Sequence, residues 1–262
     1  MNQASGKQCI FCGGSKLSKE HVFSRWTHAL LKPAGTAQIY PETDSRLAIN
    51  FVTGEAARYQ NIIRRQGRPI TRQIRRPCVS CNGGWMSALD SAVISALTPL
   101  IQGRPSPLSP DDQARIGAWT FLKTVVAEYG IEETRCIPDD QRLAFFRDQR
   151  VPAGWRIYLA VCSTPFETVG YAHSFQAPLT ARGAPPPLPD SVQSTAFGIG
   201  SLFLYAVGPC NSRLEAFLDA QLPQSLLVWP PSQITFEPVS LDPRMAFRIR
   251  DLLKIAPPVE AS

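Results

Sequence analysis

Four of the seven cysteines in this chain form two C-x2-C pairs, and their spacing constrains the fold more than any other feature of the sequence. The first pair is Cys9 and Cys12, and the second is Cys78 and Cys81. Two such pairs supply the four thiolates that a tetrahedral structural zinc site takes. Two adjacent glycines follow each pair closely and suit the tight turns of zinc knuckles. We therefore expect one zinc ion held by all four cysteines, with the 65 residues between the pairs as a long insertion; the alternative is two unrelated pairs.

The composition is that of a globular chain. Of the 262 residues, 44% are apolar and 18% are charged, which argues against disorder over most of the length. No run of about 18 apolar residues is present, and the polar N-terminal residues lack an apolar core, so we expect no membrane helix, secretory signal or transit peptide. We expect a cytoplasmic protein, where reducing conditions favour metal binding at the paired cysteines. Cys136, Cys162, Cys210 and His173 have no ligand spacing and are expected to be core or loop residues.

Positive charge is concentrated in the first ninety residues. These carry 13 lysines and arginines against five acidic residues, whereas the remainder carries 14 against 16. Seven arginines fall within 19 residues that contain no acidic residue: Arg58, Arg64, Arg65, Arg68, Arg72, Arg75 and Arg76. Such a cluster is typical of a surface that binds the phosphates of a nucleic acid, with salt-sensitive affinity and no base specificity. A solvated basic face without a partner is the alternative.

A stretch rich in Gly, Pro and Ser at residues 103–110 divides the chain. We place a domain boundary there, with one domain over 1–105 and a second over 106–262. Directly after the boundary, Ser109 has the chemistry of a helix N-cap and is followed by proline and two aspartates. Apolar residues then recur at helical spacing, so we expect a helix that ends near Gly130.

The second domain is predicted to be α+β. A further helix is expected over residues 138–149. Beyond it, the segments WRIYLAVCS, ETVGYAHSFQA, TAFGIGSLFLYAVG and SLLVWP are β-rich and separated by Pro- and Gly-containing turns, which indicates an antiparallel sheet. Helical patterns return at residues 213–222 and 243–254. No catalytic or ligand-binding motif stands out in this domain.

Three residues close to the cysteine pairs have the chemistry that phosphodiester hydrolysis requires. Glu20 and His21 are adjacent, and Asn82 directly follows the last cysteine of the second pair. A hydrolase of this kind needs a divalent cation to offset phosphate charge and a base to activate water. Glu20 and the carbonyl of the Asn82 side chain are suitable ligands for Mg²⁺ or a similar hard cation, while the imidazole of His21 is a suitable base. Neighbouring strand residues point to opposite faces, so Glu20 and His21 share one site only if the strand ends or is distorted there.

The order of these motifs resembles that of a known family. A C-x2-C pair, an acidic-His doublet and a C-x2-C-N motif that opens a helix is the order in zinc-knuckle HNH endonucleases of the ββα-metal type, and it is most similar to the endonuclease VII branch. The strings KEHVFSRW and CVSCNGGWMSALD are also similar to those of a group of bacterial and phage-borne HNH proteins. The resemblance covers residues 9–90. Here Glu20 stands where Asp or His is common, and Ser24 stands where the signature has proline.

The resemblance implies a treble-clef-like ββα-metal domain with a structural zinc site, joined to the α+β domain. It implies His21 as the general base, with Glu20 and Asn82 as ligands of a catalytic Mg²⁺ or another divalent cation. The middle asparagine of the HNH motif has two candidates: Asn50, in LAINF, is the first choice and Asn61 the second. By the same resemblance, the substrate is nucleic acid, with DNA favoured over RNA.

Other residues of this region receive structural predictions. The spacer between the cysteine pairs can hold a helix over residues 22–31, on which His28 is expected to be a packing or surface residue. Trp85, Met86 and Leu89 have the spacing of a buried helix face. Asp90 lies about two helical turns after Asn82, so it either approaches the metal or is an exposed helix residue.

Two other classes of protein are compatible with the sequence. A zinc scaffold that binds nucleic acid or a protein partner without turnover needs the cysteines and arginines, but not the trio of Glu20, His21 and Asn82. A thiol redox or metal-storage protein is the third reading, although no C-x2-C pair lies beside a redox-type βαβ unit. The trio favours an HNH endonuclease, a phosphodiester hydrolase, over both.

Overall fold

The computed structural model has an α+β architecture, in agreement with the sequence prediction. It describes residues 8–31, 39–49, 56–130, 135–167, 169–176 and 191–254. Asn50 therefore lies outside the described residues. Among the described residues, no single helix is long and apolar enough to cross a membrane. The helical segments Val79–Ala92 and Ile94–Ile101, which are bent relative to each other, reach the required length and apolar composition only when they are counted together.

Two short strands and a broken helix form the cysteine-containing unit. Strand β1 (Glu20–His21) pairs antiparallel with β4 (Gln73–Ile74), placing Glu20 opposite Ile74 and His21 opposite Gln73. The helical segments that follow are α1 (Val79–Cys81), a π turn (Asn82–Met86), α2 (Ser87–Ala92) and α3 (Ile94–Ile101). The order is therefore strand, strand, helix, with the long insertion between the two strands. We call β1, β4 and the helical segments from Val79 to Ala92 the ββα unit.

The insertion contains a hairpin and two short helical turns. Strands β2 (Ile39–Ile49) and β3 (Ala56–Gln66) pair antiparallel over their whole length, from Ile39 opposite Gln66 to Ile49 opposite Ala56. The helix predicted over residues 22–31 is shorter, a 3₁₀ helix at Arg25–Ala29. The N–H of Val22 donates to the Arg72 carbonyl at 3.0 Å, which keeps the chain extended beyond β1 and delays the helix start. A second 3₁₀ turn, Pro69–Thr71, precedes β4.

Two helices follow the Gly- and Pro-rich stretch, as predicted. Helix α4 (Pro110–Glu128) begins with a complete capping box: Ser109 Oγ accepts from the Asp112 N–H, and the Asp112 carboxylate accepts from the Ser109 N–H, both at 3.1 Å. Helix α5 (Asp139–Asp148) ends at Gln149 in the left-handed region. Every residue of α4 from Ile116 to Glu128 is buried, so this helix is surrounded on all sides.

The remainder of the chain forms the predicted antiparallel sheet. Its strands are β5 (Arg156–Cys162), β6 (Gly170–Gln176), β7 (Val192–Ile199), β8 (Leu202–Gly208), β9 (Leu227–Trp229) and β10 (Ser240–Leu241). Among the described strands the order is β10-β5-β8-β7-β6, with β9 also on β5, and β10 alone pairs in parallel. Helices α6 (Ser212–Gln221) and α7 (Pro243–Arg250) are those predicted at residues 213–222 and 243–254, and a 3₁₀ turn, Leu252–Lys254, follows α7.

Both faces of this sheet are buried, because alternate residues of its strands belong to different hydrophobic clusters. Ile157 and Leu159 of β5 pack with residues of α4 and of the ββα unit. Tyr158 and Ala160 pack on the opposite face with residues of α6 and α7. The sheet is thus the middle of three layers. The first cluster contains residues from both sides of the predicted boundary, and the division at residue 105 stays a prediction.

Candidate functional site

The two C-x2-C pairs lie together at one end of the ββα unit. The first pair sits in a tight turn, in which the Cys9 N–H donates to the Gly14 carbonyl at 2.8 Å and Gly13 takes a φ of 75°. The second pair opens α1, with Cys78 as its N-cap. The Cys78 N–H donates to Cys9 Sγ at 3.2 Å and so joins the two turns directly. Local turn chemistry therefore presents each pair, and tertiary packing brings them face to face.

The four sulfur atoms have the arrangement of a metal site. All four Sγ atoms of Cys9, Cys12, Cys78 and Cys81 lie within 4.8 Å of one another. A tetrahedral zinc ion with Zn–S bonds of about 2.3 Å places its sulfur ligands about 3.8 Å apart, so the cluster has the right size. Cys12 is exposed, whereas the other three are buried. The prediction that the four cysteines converge is confirmed, and they can hold a structural metal such as zinc.

Hydrogen bonds prepare at least one of these thiols to ionise. Burial acts to raise the pKa of Cys78, but hydrogen bonds from Ser80 Oγ and from the Cys81 N–H outweigh it and lower that pKa to about 6. A thiolate is the form that binds a metal ion. The backbone and side-chain donors of α1 therefore favour the ligand state of Cys78.

Aromatic packing fixes the four-cysteine cluster against the rest of the molecule. Phe11, between the cysteines of the first pair, is fully buried and meets the Trp85 ring edge to face at 5.0 Å. Trp85 also contacts Phe145 of α5, with ring centroids 5.6 Å apart. Met86 and Leu89 are buried, as their spacing predicts. The cluster is thus attached to the first hydrophobic cluster of the fold.

Glu20 and His21 lie side by side on β1 but have different partners. Glu20 is 5% exposed, and its Oε1 accepts from the Nζ of Lys123 at 2.5 Å. His21 is half-buried, and its Nε2 lies 2.6 Å from Nε2 of Gln73. Since an amide nitrogen only donates, Nε2 of His21 accepts in this arrangement and is unprotonated. The buried carboxylate of Glu20 therefore contacts Lys123 of α4, and the half-buried imidazole of His21 contacts Gln73 of β4.

The carboxylate of Glu20 belongs to a buried polar cluster that the sequence did not indicate. Lys123 Nζ also lies 3.3 Å from Asp90 Oδ1 and 3.3 Å from the His21 carbonyl oxygen. Asp90 Oδ1 in turn accepts from Ser24 Oγ at 2.5 Å and from Trp119 Nε1 at 2.6 Å. We call Glu20, Asp90 and Lys123, with these two neutral donors, the Lys123 cluster. Asp90 is therefore neither an exposed helix residue nor a free ligand.

Asn82 ties the start of the helix to the strand that carries the doublet. Its Nδ2 donates to the Lys19 carbonyl at 3.1 Å and to Ser18 Oγ at 3.0 Å. These acceptors directly precede Glu20 in the chain. The structure therefore brings Asn82 next to β1 and uses its amide nitrogen for the attachment.

A second histidine lies beside the doublet. The rings of His21 and His28 meet edge to face with centroids 5.7 Å apart. Burial lowers the pKa of His21, and electrostatic interactions with the titrating His28 and with Lys123 and Arg25 lower it further. Burial is also the largest effect on His28, whose pKa is lowered although the backbone groups of Phe23 and Ile70 act against it. Both imidazoles are therefore neutral near pH 7, the state in which a histidine can accept a proton.

The predicted arginines lie on two parts of the insertion. Arg58, Arg64 and Arg65 lie on β3, and the Arg64 side chain is exposed. Arg68, Arg72, Arg75 and Arg76 border β4, with Arg75 exposed and the other three partly buried. Arg76 also stacks on the ring of Tyr129, at 5.2 Å from its centroid. Arg135 and Arg142 approach the same ring at 5.1 and 5.7 Å, so residues of the C-terminal part extend this basic region.

Sequence reasoning missed Lys123 and its contacts. A signal was present, because Lys123 and Glu128 are the charged residues of an otherwise largely apolar stretch of α4. A charged residue within such a stretch must be paired when the helix is buried. The partner of Lys123 is not readable from the sequence, since Glu20 lies 103 positions away.

Comparison of the chain with protein-family models, with curated proteins and with solved structures finds no match. The likeness to HNH endonucleases therefore remains one of motif order and residue type.

Proposed function

We propose that this protein is an HNH-type endonuclease that hydrolyses phosphodiester bonds in nucleic acid, with His21 as the general base. The observation that carries the proposal is the attachment of Asn82 to the Lys19 carbonyl, because it places the helix start beside the strand that bears Glu20 and His21. This arrangement supports the ββα-metal prediction for the fold of the unit. DNA is the favoured substrate by the resemblance alone.

The arginines that border β4 support a nucleic-acid substrate. Strand β4 pairs with the doublet, with Gln73 opposite His21 and Ile74 opposite Glu20, and arginines directly precede and follow these two residues in the chain. Guanidinium groups bind phosphate oxygens and position the backbone without reading its sequence. Arg72, Arg75 and Arg76 would hold the phosphate while the neutral imidazole of His21 takes a proton from the attacking water.

Zinc at the four cysteines would supply folding energy rather than chemistry. All four ligand positions are filled by protein sulfurs, so the ion has no open position for substrate. Its contribution is to hold the first turn against the helix that carries Asn82.

The predicted Mg²⁺ fits the present arrangement poorly. Magnesium requires near-octahedral oxygen ligands and keeps several waters, whereas the Glu20 carboxylate is 5% exposed and already contacts an ammonium group. Asn82 could offer only its side-chain oxygen as a ligand, because its amide nitrogen holds β1. We therefore assign no step to a divalent cation at Glu20 and Asn82.

The engaged carboxylate gives specific support to a second candidate function. A zinc scaffold that binds nucleic acid without cutting it has no need of an accessible metal ligand, and Glu20 is used as a structural partner of Lys123. In this binding module, the arginines would bind phosphate and the four-cysteine cluster would hold the structural metal.

A plasmid-nicking assay separates the two functions. Wild type and His21→Ala would be incubated with supercoiled plasmid and with single-stranded RNA at low salt, with Mg²⁺, with Mn²⁺ or with no added metal. His173→Ala, which alters a histidine of β6 outside the ββα unit, is the matched control, and zinc content is measured on all three proteins. We expect wild type and His173→Ala to cut and His21→Ala to be at least 100-fold slower, since general-base catalysis contributes about 10²–10⁴-fold.

The opposite result identifies the binding module. If none of the zinc-loaded proteins cuts any nucleic acid, while all bind it with an affinity that falls steeply with salt, the hydrolase proposal is wrong. Equal cleavage by wild type and His21→Ala would leave a nuclease but remove His21 as its base.

A further inference from the structure

The Lys123 ammonium group lies between two carboxylates, a position that a metal ion occupies in metal-dependent sites. Lys123 reaches the ββα unit from the middle of α4, and its Nζ lies between Glu20 Oε1 at 2.5 Å and Asp90 Oδ1 at 3.3 Å. From this geometry we infer that the Lys123 ammonium group is the resident cation of the Glu20–Asp90 pair, and that this pair binds no divalent metal ion in the native protein. The inference concerns the unit proposed above as the hydrolase but does not depend on hydrolysis.

The ammonium group donates two hydrogen bonds and forms a further ion pair with Asp90. A protonated lysine has three N–H donors and no acceptor. Lys123 Nζ has three oxygen acceptors within reach: the carboxylates of Glu20 and Asp90 and the carbonyl of His21. A donor set that matches its acceptors in number is the condition under which a buried charge is tolerated.

The carboxylates are oriented toward the lysine by the surrounding structure. Ser24 and Trp119 both donate to Asp90 Oδ1, the same oxygen that faces the ammonium group. Ser24 occupies the position where the HNH signature has proline, a residue whose side chain has no donor. The serine therefore adds a hydrogen bond that fixes Asp90 in the Lys123 cluster.

Burial makes displacement of the lysine by a metal ion unfavourable. The side chains of Lys123 and Glu20 are 1% and 7% exposed, so neither reaches water without rearrangement of α4 or β1. A divalent ion on the Glu20 carboxylate would lie close to the ammonium charge, where like charges repel strongly in a partly buried setting. Mg²⁺ would also have to keep several waters beside a Glu20 side chain that is only 7% exposed.

Manganese binding tests the inference without a nucleic-acid substrate. Zinc-loaded wild type, Glu20→Gln, Lys123→Met and the double variant Glu20→Gln/Lys123→Met would be titrated with Mn²⁺, and free Mn²⁺ followed by electron paramagnetic resonance. We expect wild type, Glu20→Gln and the double variant to take up no Mn²⁺ at this site. Lys123→Met leaves two facing carboxylates without a counter-ion, and it should gain one equivalent of bound Mn²⁺.

Thermal unfolding covers the case in which Lys123→Met is too unstable to titrate. The double variant removes both charges of the closest pair, so its melting temperature should exceed that of Lys123→Met. Added Mn²⁺ should raise the melting temperature of Lys123→Met but not that of wild type.

The inference would be overturned if wild type bound one equivalent of Mn²⁺ and Glu20→Gln did not. It would also be overturned if Lys123→Met folded but bound no Mn²⁺. The hydrolase proposal is tested separately, because its failure would appear as the absence of cleavage in the plasmid-nicking assay.

Discussion

At the scale of single residues, Glu128 shows how burial changes the chemistry of a side chain. It is fully buried near the end of α4, and its Oε2 accepts from the backbone N–H groups of Cys136 and Ile137, both at 3.2 Å. Its Oε1 accepts from Arg142 at 3.3 Å. Burial nevertheless dominates and raises the pKa of Glu128 to about 7, against the opposing effect of Arg142 and the two backbone donors.

This raised pKa predicts a pH-dependent contribution to stability. A carboxyl whose pKa rises on folding stabilises the protein most below its unfolded pKa of 4.5, and the contribution disappears as the pH rises to about 7. Relative to Glu128→Gln, wild type should therefore lose about 3 kcal/mol of unfolding free energy between those pH values. Urea unfolding across the range measures the difference. Glu167→Gln, at an exposed glutamate, is the control, and parallel curves for wild type and Glu128→Gln would contradict the assignment.

The Lys123 cluster belongs to the same scale. The sequence predicted Glu20 as a metal ligand because its residue type and its place beside His21 suit one. The structure gives the carboxylate a cationic partner from α4 instead. Residue type is local information, whereas the partner of a buried charge is decided by which elements pack together, so sequence reasoning singled out Glu20 but not the lysine that contacts it.

At the scale of elements, α4 is the helix on which the site depends most. It carries Lys123 and Trp119 to the ββα unit and packs on the first face of the sheet. Its start was predictable because capping is a local interaction between Ser109 and the first turn. Its burial on all sides was not, since the helix has no contrasting polar face that would reveal its orientation.

Removal of the cap should destabilise the protein by a measurable amount. Ser109→Ala deletes the oxygen that accepts from the Asp112 N–H, and we expect a loss of about 1 kcal/mol of unfolding free energy. Urea denaturation, followed by tryptophan fluorescence, gives the value. Ser106→Ala is the matched control, because Ser106 precedes the helix and caps nothing. A loss no larger than that of the control would show that the capping box does not limit the stability of α4.

The short strands of the ββα unit could not be predicted from their sequence pattern. Strands β1 and β4 have two residues each, too few for a recognisable alternation of apolar and polar residues. The motif order drew attention to Glu20, His21 and Asn82 but did not predict β4 as the partner of β1. The β2–β3 hairpin between them was not predicted, and the candidate Asn61 lies in it opposite Asp44 of β2.

At the scale of the whole molecule, the cysteine cluster closes a loop of more than 60 residues. Cys9 and Cys12 would otherwise be held to the ββα unit by few backbone hydrogen bonds and the packing of Phe11. A structural metal that binds only the folded chain adds its binding free energy to stability. The cluster therefore predicts that the fold of the N-terminal part depends on the metal.

Cys12→Ser isolates the metal contribution, because Cys12 is the exposed member of the cluster. An exposed substitution usually changes the unfolding free energy by within about 0.5 kcal/mol, so a large loss can come only from the metal. We expect zinc content to fall and the melting temperature to drop by roughly 10 °C, since ~2–4 °C corresponds to 1 kcal/mol in a chain of this size. Cys210→Ser, outside the cluster, should keep both. Unchanged zinc and melting temperature in Cys12→Ser would show that the cluster holds no metal.

The sequence by itself determined the features that rest on local chemistry. The C-x2-C spacing predicted the four-cysteine cluster, the Ser109 cap predicted where α4 begins, and the β-rich segments predicted the antiparallel sheet. Only the tertiary structure placed Lys123 on Glu20 and Asp90, attached Asn82 to Lys19, and joined residues before and after 105 in one core. The physical reason is that caps and metal knuckles are specified by neighbours in the chain, whereas a buried charge finds its partner through the packing of elements far apart in sequence.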